Sequence, residues 1–292
     1  MARQWKGTTF GGERLHKSLI WALRYIDIRL IYAFAALFIV PICSVVNKSR
    51  KSAYDYFRNR LNYGWWKSIW NIYLNHYKFA QVVIDKFAMY AGKRFLVEVE
   101  NNAEAYHKLE AKSEGFVILS SHIGNYEIAG YTFSSGAKRM NILVFAHEKE
   151  FVMRNRSSLF DKNNVQMIAV QEDMSHLYEI DRELRSGSIV TLHADRSAGA
   201  TKCIEGIFLG HTARFPLGPL NVVTMRGLDA LAANVTKVAW NRYKLSFTQL
   251  EYDKSAPRKE QTKQLSREYI AALEECVKEY PTQWFNFYNF WI

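Results

Sequence analysis

The chain has 292 residues, enough for one large domain or two small ones with a substantial core. Its 39 Lys and Arg against 28 Asp and Glu leave a formal charge of +11, which favours an anionic partner: nucleic acid, anionic lipid headgroups or an acidic carrier protein. Three scattered cysteines, Cys43, Cys203 and Cys276, match no metal or redox spacing, indicate no structural disulfide and suit a reducing compartment.

A basic, polar N-terminus gives way to an uncharged run, Leu30 to Val46, bracketed by Arg24 and Arg29 before it and Lys48, Arg50 and Lys51 after it. Spanning a bilayer takes roughly twenty apolar residues, so this run is at the short limit, and Pro41 would kink it. It has no small-residue cleavage pattern and carries charge on both flanks, which argues against a cleaved signal peptide. A single-pass span, an interfacial hairpin and a buried helix all remain open for residues 30–46, with membrane attachment the expectation. Basic flanks on both sides leave the orientation open by the positive-inside rule, while the scarcity of cysteines fits a catalytic part in the cytoplasm.

Residues 54–90 are dense in aromatics, among them Tyr54, Tyr56, Phe57, Trp65, Trp66, Trp70 and Tyr73, at broadly helical spacing with Arg58, Arg60, Lys67 and Lys78 between them. Such a helix suits a membrane interface or a protein core equally. Basic residues among aromatics also suit nucleic acid, but no zinc-finger, RRM-like or helix-turn-helix pattern accompanies them, so nucleic acid is not expected as a partner. Residues 1–92 therefore read as a membrane-associating helical segment and residues 93–292 as a separate core.

From residue 94 strands and helices alternate. Phe95–Val99, Phe116–Ser120, Asn141–Ala146, Val165–Val170 and Ser188–His193 read as strands, Ala103–Lys112 as a helix, and the intervals leave room for crossover helices. Ala230–Val238 and Tyr243–Tyr252 add later strands, and Gln261–Tyr280 is an amphipathic helix stopped by Pro281. This rhythm predicts an α/β fold with a mixed, largely parallel sheet flanked by helices, preceded by the N-terminal membrane-associating segment.

In such sheets ligands sit beyond the C-terminal ends of the strands, where this chain places polar clusters: His122, His147-Glu148-Lys149, and His193-Ala194-Asp195-Arg196. The first lies in Ser121-His122-Ile123-Gly124-Asn125-Tyr126-Glu127. A histidine and a carboxylate five positions apart after a strand suggest an oriented general base. On one helix five residues rotate by roughly 140°, so the two side chains would not share a face. The spacing works with His122 on the turn and Glu127 in the first turn of the next helix, Gly124 letting the backbone turn tightly. Glu127 would then hold the imidazole in one tautomer. A surface turn in which the two side chains never meet fits the same residues.

This H-x4-E block resembles that of the lysophospholipid acyltransferase superfamily, and more specifically its lipid A biosynthesis (lauroyl/myristoyl) acyltransferase branch. Leu192-His193-Ala194-Asp195-Arg196, then Gly206-Ile207-Phe208-Leu209-Gly210 and Phe215-Pro216-Leu217-Gly218-Pro219, resemble the branch's later block. Tyr280-Pro281-Thr282-Gln283-Trp284-Phe285 is similar to its Pro-x-Gln-Trp close. The chain departs from the branch at Arg196, where Gln is usual, and in its opening Trp5-Lys6-Gly7-Thr8 and Gly11-Gly12, which look more like a less-characterised branch.

The resemblance implies acyl transfer from a thioester, acyl carrier protein or coenzyme A serving as co-substrate with no resident cofactor, to a hydroxyl of a lipid or glycolipid at the cytoplasmic face of the inner membrane. It casts His122 as general base and Glu127 as its orienting carboxylate. Backbone N–H groups near Gly124 and Asn125 would stabilise the oxyanion, worth about 3 kcal/mol per donor. Arg154 or Arg156 would bind an acceptor phosphate or the donor's phosphopantetheine. Asp195 matches the family's acidic position and would organise the site or hold the arginine, and Arg196, Lys202 and Arg214 would form a basic rim. His147, His193 and His211 are structural or rim residues on this reading. No metal is expected, because a metal-dependent hydrolase needs three ligands and the chain offers no H-E-x-x-H or H-x-H run. A non-catalytic lipid-binding membrane protein is the other alternative.

Overall fold

The computed structural model describes residues 12–47, 49–100, 103–132, 136, 138–145, 150–160, 163–171, 173–197 and 202–292. The opening motif before Gly12 and the His147-Glu148-Lys149 cluster lie outside the described residues.

The chain starts with helices α1 (Glu13–Tyr25) and α2 (Ile28–Phe34), the latter capped by Asp27, whose carboxylate accepts the Arg29 N–H at 2.8 Å. A π-turn at Ala35–Ile39 carries α2 into α3 (Val40–Val46). The wider turn falls just before Pro41, which has no N–H to give to the helical ladder. Helix α4 (Arg50–Asp55) and a second π-turn (Tyr56–Arg60) lead to α5 (Trp65–Tyr90).

Strands and helices then alternate as expected: β1 (Leu96–Val99), α6 (Ala103–Glu110), β2 (Phe116–Gly124), α7 (Tyr126–Thr132), β3 (Met140–Phe145), α8 (Glu150–Phe160), β4 (Val165–Val170), α9 (His176–Arg185) and β5 (Ile189–His193). After β5 come a hairpin the apolar pattern did not reveal, β6 (Cys203–Phe208) and β7 (His211–Pro216), and α10 (Leu217–Thr224). The chain closes with β8 (Ala230–Ala239), β9 (Arg242–Leu250) and α11 (Arg258–Glu279).

The seven-stranded sheet has the order β1-β9-β8-β2-β5-β3-β4, with every pair parallel except β8 and β9. Strand β2 is central and pairs with β5 from Phe116↔Ile189 to Ser120↔His193. Its side chains alternate between two cores, as the pleat requires. Val117 and Leu119 join Val190, Leu192, Ala230 and Ala232 beneath α9, α10, α11 and the β6–β7 hairpin. Phe116 and Ile118 join Ile189 and Leu231 beneath α1, α5, α6, α7 and α8. Covered on both faces, these strands read as unbroken apolar runs, which is why the sequence located them.

Strand β2 runs four residues further than the expected Phe116–Ser120, ending at Gly124. Its register with β8 shifts between Ser120 and Gly124, and the C-terminal segment adds an antiparallel bridge, Ile123↔Trp284, with the Phe285 N–H donating to the His122 carbonyl at 3.1 Å. His122 therefore lies within the strand's irregular end and not on a free turn, because neighbours far away in sequence supply its backbone partners. Gly124 has φ +57°, and a Cβ there would stand 1.9 Å from the Val235 carbonyl oxygen. Both conditions demand glycine. Gly124→Ala is expected to destabilise the fold by at least about 2 kcal/mol, read as a fall in the urea midpoint; an unchanged midpoint would contradict this backbone path.

Candidate active site

The end of β2 and the residues just past β5 bring His122 and Asp195 together across 73 positions of sequence. The His122 Nδ1 lies 2.7 Å from Asp195 Oδ1. The other carboxylate oxygen, Oδ2, accepts the His122 backbone N–H at 2.9 Å and the Trp284 indole N–H at 3.2 Å. Three donors therefore fix the Asp195 carboxylate, which is 1% exposed. Burial would raise its pKa, but the charge and hydrogen bonds of His122, with Arg196 nearby, hold it well below the usual carboxylate range. An ionised carboxylate only accepts, so His122 carries its proton on Nδ1 and presents a lone pair on Nε2. Burial lowers the pKa of His122, opposed by the charge of Asp195 and aided by Arg196. The ring is thus neutral at pH 7 and able to accept a proton.

A second histidine supports the first. The His193 ring centroid lies 4.5 Å from that of His122 and 4.3 Å from that of Tyr126. Its Nδ1 lies 2.7 Å from Ser120 Oγ, its partner in the β2–β5 register. Burial, with the His122 ring and Arg196 adding to it, pushes the His193 pKa down to about 3. Burial also raises the Tyr126 hydroxyl to about 12, with Glu127 contributing. The site is therefore lined by neutral rings around one buried anion.

Glu127 does occupy the first turn of α7, but its carboxylate points elsewhere. Oε1 accepts from Lys86 Nζ of α5 at 3.0 Å and from an Arg156 guanidinium N–H of α8 at 2.7 Å. The carboxylate at the His122 Nδ1 is that of Asp195. The reason is geometric: β2 stays extended through His122, and Gly124 and Asn125 turn the chain before the helix begins. Arg156 is 6% exposed, whereas its neighbour Arg154 faces solvent.

Asn125 caps α7, its Oδ1 accepting from the Ile128 N–H at 3.4 Å. Its own N–H donates to the Val235 carbonyl at 2.8 Å, so the oxyanion donor expected at Asn125 is already engaged. Arg196 donates to the Phe285 carbonyl at 2.6 Å, tying the site to the C-terminal segment rather than to a rim. Two polar cavities, of about 270 and 770 Å³, open at the opposite, N-terminal ends of the strands around Asp229 and Ser188 and do not include His122. Among the described residues no group of three or more His, Cys, Asp or Glu is placed to hold a metal.

Sequence reasoning placed His122 and Asp195 in the site but did not pair them, and it gave no part to Trp284, Ser120 or Lys86. Trp284 carried a signal in the Pro-x-Gln-Trp close. Ser120 and His193 meet only through the β2–β5 register, which leaves no local signal in the sequence. A family model described as bacterial lipid A biosynthesis acyltransferase matches residues 83–292, from the last turns of α5 to the C-terminus. No curated protein matches the chain.

Proposed function

The chain belongs to the bacterial lipid A biosynthesis acyltransferase family, and on that premise we propose that His122 is the general base of acyl transfer to a lipid hydroxyl, oriented by Asp195. The family makes the chain an acyltransferase with an acyl donor and a lipid acceptor, and its members associate with the inner membrane. The observation that carries the residue assignment is the 2.7 Å contact between His122 Nδ1 and a buried, ionised Asp195.

In this reading the Nε2 lone pair of His122 takes the proton of the acceptor hydroxyl as its oxygen attacks the carbonyl carbon of the thioester. Asp195 stabilises the imidazolium that forms and keeps its Nδ1–H aimed. Collapse of the tetrahedral intermediate breaks the carbon–sulfur bond, and the imidazolium returns the proton to the departing thiolate. The donor is acyl carrier protein or coenzyme A, and attack by the acceptor needs no acyl-enzyme. Ser121, the hydroxyl beside His122, donates to Asn234 Oδ1 at 2.6 Å and is buried, which supports direct attack.

Glu127 serves this reaction by holding Arg156 and Lys86. Lys86 and Arg156 meet on the Glu127 carboxylate at 3.0 and 2.7 Å, and the Arg156 charge reaches the neighbouring Tyr126. That anchoring on the helix after the His122 strand supports Arg156, rather than solvent-facing Arg154, as the contact for an acceptor phosphate or the donor's phosphopantetheine. The +11 charge favours the same anionic ligands and an acidic carrier. The catalytic part faces the cytoplasm in this reading, where both thioester donors are made.

The lowered pKa of His122 sets the pH profile. Protonation of Nε2 removes the base, so kcat/KM should fall on acidification along a limb whose midpoint lies below the ordinary histidine value of 6.5. Asp195→Asn removes the charge that pulls this pKa up, so the remaining activity should show its acid limb at still lower pH. A limb at or above 6.5 in the wild type, or one that rises in the variant, would contradict the assignment. Chelator is expected to leave the rate unchanged.

A further inference from the structure

The apolar run is fastened to one body at both ends. Before it, α1 buries Ile20 and Leu23 in the core beneath the sheet. After it, Tyr56 and Phe57 are buried in the core on the sheet's other face. Between these anchors the run keeps a stripe of its own on the protein: Ile28, Tyr32, Ala35 and Val40 are buried. The Tyr32 hydroxyl donates to Asp85 of α5 and accepts from Lys237 Nζ of β8 at 3.0 Å, with all three residues buried. The Tyr73 hydroxyl of α5 donates to the Ala36 carbonyl at 3.0 Å.

A span is incompatible with these anchors. Ile28–Val46 is 19 residues long, and at 1.5 Å per residue it rises about 28 Å, the whole thickness of a bilayer's hydrocarbon. Were it to cross, α1 would stand on the far side from the sheet whose core buries its Leu23. The buried Asp85 and Lys237 would also lose their tyrosine or follow it into lipid, where charge is costly.

The opposite face of the run is apolar and open. Leu30, Phe34, Leu37, Ile42 and Val46 are each more than half exposed. Beside them the first turns of α5 expose Trp66 and Trp70, at 78% and 59%, and carry Lys67. Aliphatic side chains outermost with indoles and a lysine alongside form the profile of a surface seated at a bilayer's headgroup–acyl boundary. In water so much contiguous apolar surface would be unfavourable.

We propose that the protein is monotopic: Ile28–Val46 lies along the bilayer with its inner stripe docked on α5 and β8 and its outer face among the acyl chains, and α1 and the catalytic core share one side. This rests on the membrane-attached reading above and specifies how attachment is made. It also seats the His122 site on the body that carries the lipid-facing helix, so an acceptor need not leave the membrane surface entirely.

The test uses the full chain in cell membranes. With Cys43, Cys203 and Cys276 replaced by serine, single cysteines are introduced as Arg14→Cys on α1 and Lys259→Cys on α11, both solvent-facing positions. A membrane-impermeant maleimide is applied to sealed inside-out and right-side-out vesicles. Both cysteines should be labelled in the inside-out preparation and protected in the other. Labelling of Arg14→Cys and Lys259→Cys from opposite sides would overturn the proposal. Flotation with vesicles of phosphatidylethanolamine and phosphatidylglycerol supplies the second readout: Leu37→Glu with Ile42→Glu should reduce bound protein at least tenfold without lowering the melting temperature. Flotation unchanged by that pair would equally overturn it. Acyl transfer to detergent-dispersed lipid, measured on the same preparations, separates the two readings, since loss of the topology result with activity retained leaves the acyltransferase assignment standing.

Discussion

Replacing His122 with alanine should reduce acyl transfer by about four orders of magnitude, the upper range for loss of a general base and equivalent to about 5.5 kcal/mol of transition-state stabilisation. The fold should survive. His122 is partly exposed, and alanine keeps the backbone N–H that donates to Asp195, while the Trp284 indole still donates to the same carboxylate. Asp195 loses one of three donors, so a stability cost of about 1–3 kcal/mol is expected, less than a typical domain's margin. The measurement is single-turnover transfer from an acyl thioester to lipid, alongside a thermal melt. A folded His122→Ala protein turning over at the wild-type rate would sink the mechanism.

The second large effect separates the two carboxylates. Asp195→Asn should lower kcat by about three to four orders of magnitude, the scale seen when an orienting carboxylate is neutralised beside a catalytic histidine. The amide preserves shape, but it neither stabilises an imidazolium nor enforces the Nδ1–H tautomer. Glu127→Gln should act differently. It leaves the buried Arg156 and the partly buried Lys86 facing a neutral amide, and breaking a buried pair such as Arg156–Glu127 costs about 3–5 kcal/mol. Its signature is therefore a lowered melting temperature and an altered KM for the anionic substrate, with kcat less affected. The reverse pattern, a near-normal Asp195→Asn and a collapsed kcat in Glu127→Gln, would return the orienting role to Glu127.

These predictions differ from the one the H-x4-E spacing suggests, and the difference is instructive. The motif correctly marks the end of a core strand, a glycine the backbone cannot replace, and a glutamate in the first turn of the next helix. It does not report which carboxylate reaches the imidazole. That is decided by the β2–β5 register, which sets Ser120 opposite His193 and brings Asp195 two residues later against His122. Residues 73 positions apart share no local signal, and neither does Trp284, 89 positions beyond the Asp195 it holds. Likewise β6 and β7 escaped notice because most of their residues are at least partly exposed and give no continuous apolar run.

The sequence by itself determined the layered α/β architecture, because strands covered on both faces must be unbroken apolar runs and the helix between them must show its own period. It also marked Leu30–Val46 as an uncharged run near the length that crosses a bilayer, without fixing what covers it. Only the tertiary structure decided what those parts do together. Sheet register chose Asp195 as the partner of His122 and gave Glu127 to two cations. Packing of Ile20, Leu23 and Tyr32 before and within the apolar run, and of Tyr56 and Phe57 after it, kept both ends of that run on one body. Local periodicity measures how much a segment prefers to be out of water. Which surface covers it, and which charge meets which ring, depends on contacts between residues far apart in the chain.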